Sequence, residues 1–397
     1  MSRPALTVAL LVGMVSLPVA ADQPSIPLVP PSIGAGVLEE TSPYLFQIES
    51  TRLHFTHYDQ TGFGYQSQRG PVLGPGSEEL LVEQPQLEVI ATQGKHITHR
   101  LWLPMDIVTA ASPVHAVGVD ALTAASRINE AGTLELATTY HSDKQGDLTV
   151  HSGFHLEEPY RSWDMGIAYS RSVAEDNAVI LASVNQLFDW FDTFQIDGTR
   201  TGEQTRSATN ANLSITQLLT PTTVIHLDYG GTLQVGQLGN TWSSVPLNTG
   251  VRGAEILPRE RERNAFVVRL AQWLPWNGAV HVFYRFYLDD WGVFAHTVEG
   301  ELFQRFGHYF YVRANYRVHT QSGVSFFTTQ APDDGSLRTA DSDLAPFVAQ
   351  TFGIKAALDV PLRTLARSVG LDLAVERYIR TNNLQATIVS CGAGLHF

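Results

Sequence analysis

The sequence predicts an all-β protein, a transmembrane antiparallel up-and-down β-barrel of about 16 strands with short periplasmic turns and longer extracellular loops. Three observations predict it: a two-residue alternation of apolar and polar side chains, the chemistry of the two chain ends, and a sorting of connections by length. The alternation is plainest in residues 279–321. Val280, Val282, Tyr284, Phe286 and Leu288 fall on one face, and Ala279, His281, Phe283, Arg285 and Tyr287 on the other. Further on, Phe310, Val312, Ala314, Tyr316 and Val318 alternate with Tyr311, Arg313, Asn315, Arg317 and His319. A soluble sheet buries such an apolar face in its core. A membrane barrel turns it to lipid and keeps the polar face in the lumen. The alternation fits both cases; the ends and the connections favour the membrane.

Composition agrees. Of 397 residues, 44% are hydrophobic and 16% charged, below the roughly 25% charged of soluble proteins. After the first twenty residues no apolar run reaches the roughly 18 residues of a spanning helix. A net charge of -13 argues against nucleic acid as a partner, because phosphate binding needs a basic footprint. The single cysteine, Cys391, excludes intrachain disulfides and CxxC metal or redox motifs.

The chain begins with Arg3, an apolar run over 5–17, and the small residues Val19-Ala20-Ala21. That pattern predicts a signal peptide at 1–21, cleaved before Asp22. Residues 22–44 carry Pro24, Pro27, Pro30, Pro31 and Pro43 and are expected to form an extended tail. The barrel is expected over 45–397. Its first strands are predicted at 45–58, 80–91, 95–108, 133–141 and 147–155. A strand runs through Trp163, Met165, Ile167 and Tyr169, and the next ends near Phe191. The rest are predicted at 207–219, 222–235, 263–274, 279–288, 295–306, 309–319, 345–358, 369–379 and 385–397. Long connections begin at Asp59, Thr109, Phe191, Gly236 and Ser322. Short turns fall at Gln93-Gly94, Glu175-Asp176-Asn177, Thr220-Pro221, Pro275-Trp276-Asn277-Gly278 and Gly307-His308. With the mature N-terminus in the periplasm, the long connections fall outside and the short turns inside.

At the far end, Val389, Cys391, Ala393, Leu395 and Phe397 form an apolar face. Gly392, Leu395 and Phe397 resemble the terminal-strand signal read by the barrel-assembly machinery, in which a last strand with free edge groups adds to a receptor sheet. The expected partners are that machinery, outer-membrane lipid and a periplasmic protein.

The stretches YRFYLDDWGVFAHTVE (284–299) and YRVHTQSGVSFF (316–327) resemble the bacterial family called domain of unknown function 3570. LPRERERNAFVVRLAQWLP upstream and Asp106-Ile107-Val108-Thr109-Ala110-Ala111-Ser112-Pro113 are similar to two further family elements. Residues 236–250 depart from the Asn-Pro-Tyr-containing stretch of the family. The resemblance implies an outer-membrane barrel and brings no catalytic residues.

Seven charged residues are predicted to line the lumen: Arg263, Arg269, Arg285, Glu299, Glu301, Arg313 and Arg317. Two readings stand against each other, an ion pathway and a cross-strand salt-bridge ladder bracing the wall; the ladder is the plainer. Asp289, Asp290 and Trp291 are placed at the outer rim. There a turn whose Trp belongs to the aromatic girdle is the plainer reading, against a ligand or divalent-cation site. His151 and His155 share a face but stand about 13 Å apart along a strand, so no metal site is expected. No catalytic residue, cofactor or GxSxG elbow is read from the chain. The expected function is a porin, channel or transport-type barrel of the bacterial outer membrane. A scaffold barrel anchoring a periplasmic partner is the alternative, and a lipid-modifying rim enzyme the third class.

Overall fold

The computed structural model describes residues 46–62, 79–111, 130–142, 145–194, 199–239, 244–362 and 366–397. The predicted signal peptide and Pro-rich tail lie outside the described residues, as do much of the connections after Asp59 and Thr109. The strands are β1 (Phe46–Gly62), β2 (Leu80–Gln93), β3 (Ile97–Ala111), β4 (Glu130–Ser142), β5 (Gly146–Glu157), β6 (Tyr160–Val173), β7 (Ala178–Phe194), β8 (Arg200–Thr220) and β9 (Thr223–Gly236). They continue with β10 (Ser244–Pro246), β11 (Arg252–Ala254), β12 (Glu260–Leu274), β13 (Gly278–Asp289), β14 (Phe294–Phe306), β15 (Phe310–Gln321), β16 (Phe347–Pro361), β17 (Ser368–Arg380) and β18 (Leu384–His396).

Sixteen of these form one closed antiparallel barrel in which each strand pairs with the next, β9 with β12, and β18 with β1. The seam is long, running from Ser50 opposite His396 to Gly62 opposite Leu384. Closure leaves no unpaired edge, which a lipid environment requires. β10 and β11 form a separate small hairpin inside the β9–β12 connection.

The alternation sets which way each residue faces. Leu134 and Leu136, Phe154, Leu213, Phe266, Val282, Val298, Phe352 and Leu373 all lie exposed on the outside. So much outward apolar surface would drive aggregation in water, and in a bilayer it is the lipid contact. Aromatic side chains stack from strand to strand near the outer end of this face. Phe154, Trp163 and Phe188 form one run, and Tyr229, Phe266 and Phe286 another. Tyr140, Trp273, Trp276, Phe306 and Tyr309 stand exposed near the inner end. These two levels match the interfacial belts of membrane barrels.

The lumen face carries the opposite chemistry, and small residues make room for it. A side chain at Gly353 on β16 would strike Asn315 and come within 3.0 Å of Glu376 Cγ. One at Gly392 on β18 would strike the Asp372 carboxylate and come within 3.2 Å of Arg52. Each glycine lets long polar groups from the two flanking strands meet across it. Arg52 on β1 thereby reaches Asp372 on β17 at 2.8 Å, passing over β18. Lys355 on β16 completes the group at 2.9 Å. The Gly392 singled out in the terminal strand therefore holds a place in the finished barrel: it lets β1 be pinned to β17 across the seam.

The connections refine one expectation. The fully described inner turns are tight, but several outer ones are too: Glu158-Pro159, residues 290–293 and residues 381–383. Length alone does not sort these. Residues 244–259 of the β9–β12 connection and the outer connection 322–346 pack on each other instead of extending freely. Leu247 bridges Ala331, and Ile256 bridges Arg338. Val245, Leu247, Ala331 and Ala340 form a buried apolar centre between them.

Candidate functional site: the lumen wall and the outer mouth

The lumen wall is built from residues two apart along each strand, brought level by register. On β12, Arg261, Arg263 and Arg269 share the inward face; Arg263 stands opposite Asp289 and Arg269 opposite Phe283 on β13. Arg285 stands opposite Val267 on β12 and Thr297 on β14. Arg317 on β15 stands opposite Glu299, itself opposite Phe283. Arg313 stands opposite Phe303 on β14 and Lys355 on β16.

These side chains divide into braced and unbraced. Arg313 is buried and donates to Glu301 at 3.1 Å and to Glu376 at 3.3 Å, crossing β16 at Gly353. Glu301 is also bonded by His281 at 3.2 Å. Arg317 meets Glu299 only at 3.7 Å, too long for a hydrogen bond. Arg263 donates to the Tyr287 hydroxyl at 3.0 Å. Arg269 and Arg285 make no ion pair or hydrogen bond among the described residues. Their guanidinium carbons lie over aromatic rings instead, Arg269 over Phe283 at 5.0 Å and Arg285 over Tyr287 at 5.5 Å. The salt-bridge ladder therefore describes Arg313, Glu301 and, weakly, Arg317 and Glu299. It does not describe Arg269 or Arg285.

The ladder extends to residues that the sequence pattern did not single out. Arg100 on β3 joins Glu88 on β2 at 2.5 Å and Glu135 on β4 at 3.3 Å. Arg206 joins Asp189 at 2.6 Å. Each of these arginines obeys the alternation, but their partners are set by register between strands. The signal that would have found them is an inward Arg beside an inward Glu or Asp on an adjacent strand.

At the outer mouth the rim motif is locked. The Asp289 carboxylate accepts from Arg261 at 3.0 and 2.5 Å, from the Tyr287 hydroxyl at 2.9 Å and from the Val293 amide at 2.9 Å. Asp290 accepts from the Glu262 amide at 3.0 Å. Trp291 is 4% exposed; its indole donates to the Glu260 carbonyl at 2.9 Å, and Arg261 lies over its ring at 4.4 Å. This corrects the girdle reading. Trp291 faces away from lipid and, with Val293 and Val324, forms the apolar centre on which Leu238, Leu257, Phe326 and Leu344 pack. The carboxylate of Asp289 is fully used by protein donors. Among the described residues no group of His, Cys, Asp or Glu side chains is arranged to hold a metal.

The two outer connections form a cap anchored at this point. Arg338 is buried between them and donates to the carbonyls of Ala254 at 3.1 Å and Pro332 at 2.9 Å. On the other side of the mouth Arg380 on β17 donates to Asp343 at 2.5 Å. Gln321 bonds the carbonyls of Asp343 and Ala345, both at 2.8 Å. Asp341 lies within electrostatic reach of both Arg261 on β12 and Arg380 on β17. Those two strands stand five pairings apart around the wall, and Arg380 and Gln321 hold residues 343–345 at the mouth. Burial, with Asp343 beside it, pushes the Asp341 carboxyl up to about 7.

Of the terminal-strand residues, Leu395 is exposed on the outer face. The Phe397 amide donates to the Glu49 carbonyl at 2.8 Å, tying the last residue to β1.

A family model described as "Protein of unknown function (DUF3570)" matches residues 43–390. The chain belongs to this family. No curated protein matches the sequence. Among solved structures, the outer membrane protein OpdK from Pseudomonas aeruginosa is similar at 7% identity and a TM-score of 0.44, covering 88% of this chain and 98% of that one. OccK8 (OprE), also from Pseudomonas aeruginosa, is similar at 9% identity and a TM-score of 0.43, with coverages of 88% and 98%. The CymD monoaromatic hydrocarbon channel gives 9% identity, a TM-score of 0.39 and coverages of 88% and 89%. These likenesses concern the fold alone.

Proposed function

We propose that the protein is a passive channel of the bacterial outer membrane that admits small polar solutes, its outer mouth narrowed by the two-loop cap. The observation that carries this reading is the inverted face chemistry of a closed barrel of sixteen strands. Apolar side chains face out, and the inner wall is charged and polar. A barrel of about this size leaves an aqueous lumen unless segments fill it. The wall arginines supply local charge for selecting solutes by sign. Residues 1–21 serve as the export signal in this reading, and the terminal strand with Gly392, Leu395 and Phe397 as the element handed to the assembly machinery.

The test is purified protein in planar bilayers. Discrete conductance steps support the channel, and removal of residues 322–346 should enlarge them. Absence of steps in both the full chain and the loop deletion overturns it. Co-purification of a stoichiometric periplasmic protein with a non-conducting barrel would favour a scaffold instead.

A further inference from the structure

The arginine sector contains two guanidinium groups that no carboxylate among the described residues bonds directly, and their setting describes what would occupy them. We propose that Arg269 and Arg285, with Arg317 beside them, form a binding site in the lumen for a small organic dicarboxylate. The proposal rests on the channel reading and narrows it to a solute class.

The first argument is charge. Arg285 is surrounded by the like charges of Arg263 and Arg317, with Asp228 as the opposing carboxylate in reach. Arg269 feels Glu299, Glu301 and Asp228, and also Arg317. Two of those carboxylates are partly engaged elsewhere: Glu301 holds Arg313 and His281, and Glu299 accepts from Asn315 at 3.4 Å, while Asp228 stands opposite Val267 on the β9 side. Arg285, partly buried between two like charges, is unfavourable by itself, and a bound anion relieves both the repulsion and the lost hydration; Arg269, with carboxylates near but none bonded to it, supplies the second fork.

The second argument is geometry. Each free guanidinium presents a planar N–H fork, which suits the two oxygens of a carboxylate better than a spherical halide. Contact with Phe283 and Tyr287 restrains the two side chains, so less freedom is lost on binding. Arg285 stands opposite Val267, two residues from Arg269 on the same face of β12. Such diagonal neighbours have Cα atoms about 7–8 Å apart, so two forks can engage the two ends of one short diacid. Val267 and Phe283 lie between them and offer apolar surface to the carbon chain. Arg317, held only at 3.7 Å by Glu299, is free to turn toward the same ligand.

The experiment is isothermal titration calorimetry of the full chain in detergent micelles with succinate, acetate, inorganic phosphate and chloride as separate titrants. The proposal expects succinate to bind tightest, at least tenfold over acetate. The double variant Arg269→Gln with Arg285→Gln should lose at least tenfold in succinate affinity. Arg269→Lys with Arg285→Lys keeps the charge without the fork and should fall between. Heat-modifiable gel mobility checks that each variant remains a closed barrel. Equal binding of succinate and acetate, tighter phosphate than succinate, or unchanged affinity in the Gln variant overturns the site. Succinate binding in a barrel that gives no conductance would leave this site standing and remove the channel. Conductance without succinate binding would do the reverse.

Discussion

Two sectors of one wall carry inward arginines and use them in opposite ways. Around β14 to β17, Arg313 is buried between Glu301 and Glu376, its charge matched and its side chain carried over β16 by Gly353. Two and three strands from Arg313, Arg285 and Arg269 lie on aromatic rings with no carboxylate bonded to them. The alternation that turned all three inward is the same. What differs is whether the register of neighbouring strands supplies an acid and a glycine gap. Where it does, an arginine stiffens the wall; where it does not, its charge is left to the lumen.

The largest expected effect separates these two roles. Arg313→Ala strands the buried Glu376 carboxylate and leaves Glu301 to His281 alone, and should cost about 3–5 kcal/mol, as breaking a buried pair does. Arg285→Ala removes a cation that has no partner and should be neutral or stabilising. Urea unfolding of the two variants in lipid vesicles measures both, and equal losses would erase the distinction. Next comes the glycine gap. Gly353→Val drives a side chain into Asn315 and Glu376 and should cost about 1–3 kcal/mol. Gly370→Val, where nothing lies within 4 Å, should cost far less. Similar losses at both positions would mean that the crossing at Gly353 is not tight.

A smaller effect concerns the cap above the unbraced sector. The Asp341 carboxyl in the folded cap titrates near 7, faced by Asp343, Arg380 and Arg261. A free aspartate titrates near about 3.9. Between those values the folded cap holds more protons than the opened one, so its stability is full in acid and is lost as pH rises through about 7. Amide protection factors over 338–345, corrected for the intrinsic pH dependence of exchange, should fall from pH 5 to pH 8, and Asp341→Asn should flatten that fall. The smallest effect lies on the outer face. Arg161 and Glu203 meet at 2.6 Å with both side chains well exposed, and Arg161→Ala should change stability by less than about 1 kcal/mol.

Much of this barrel was legible in the chain because period two is a local property. It set the facing of Arg263, Arg269, Arg285, Arg313 and Arg317 without knowledge of any neighbour. Pairing was not legible. The Arg313 partner Glu376 lies 63 residues away and two strands over, and only the register of β15, β16 and β17 brings them level. The cap was not legible either, because 244–259 and 322–346 have no periodicity to betray their mutual packing. Trp291 is the instructive case. A Trp at a rim turn suggested the lipid interface, yet parity continued from Tyr287 and Asp289 carries position 291 inward. Arg261 and the Glu260 carbonyl then fix it there.

The central claim is that the unbraced arginines act on what passes through the lumen. The most direct measurement is the reversal potential across a planar bilayer under a potassium chloride gradient, for the full chain and for Arg269→Gln with Arg285→Gln. The account predicts an anion-preferring channel whose preference falls sharply in the double variant while its conductance remains. A cation-preferring channel, or a reversal potential that the double variant leaves unmoved, would contradict it.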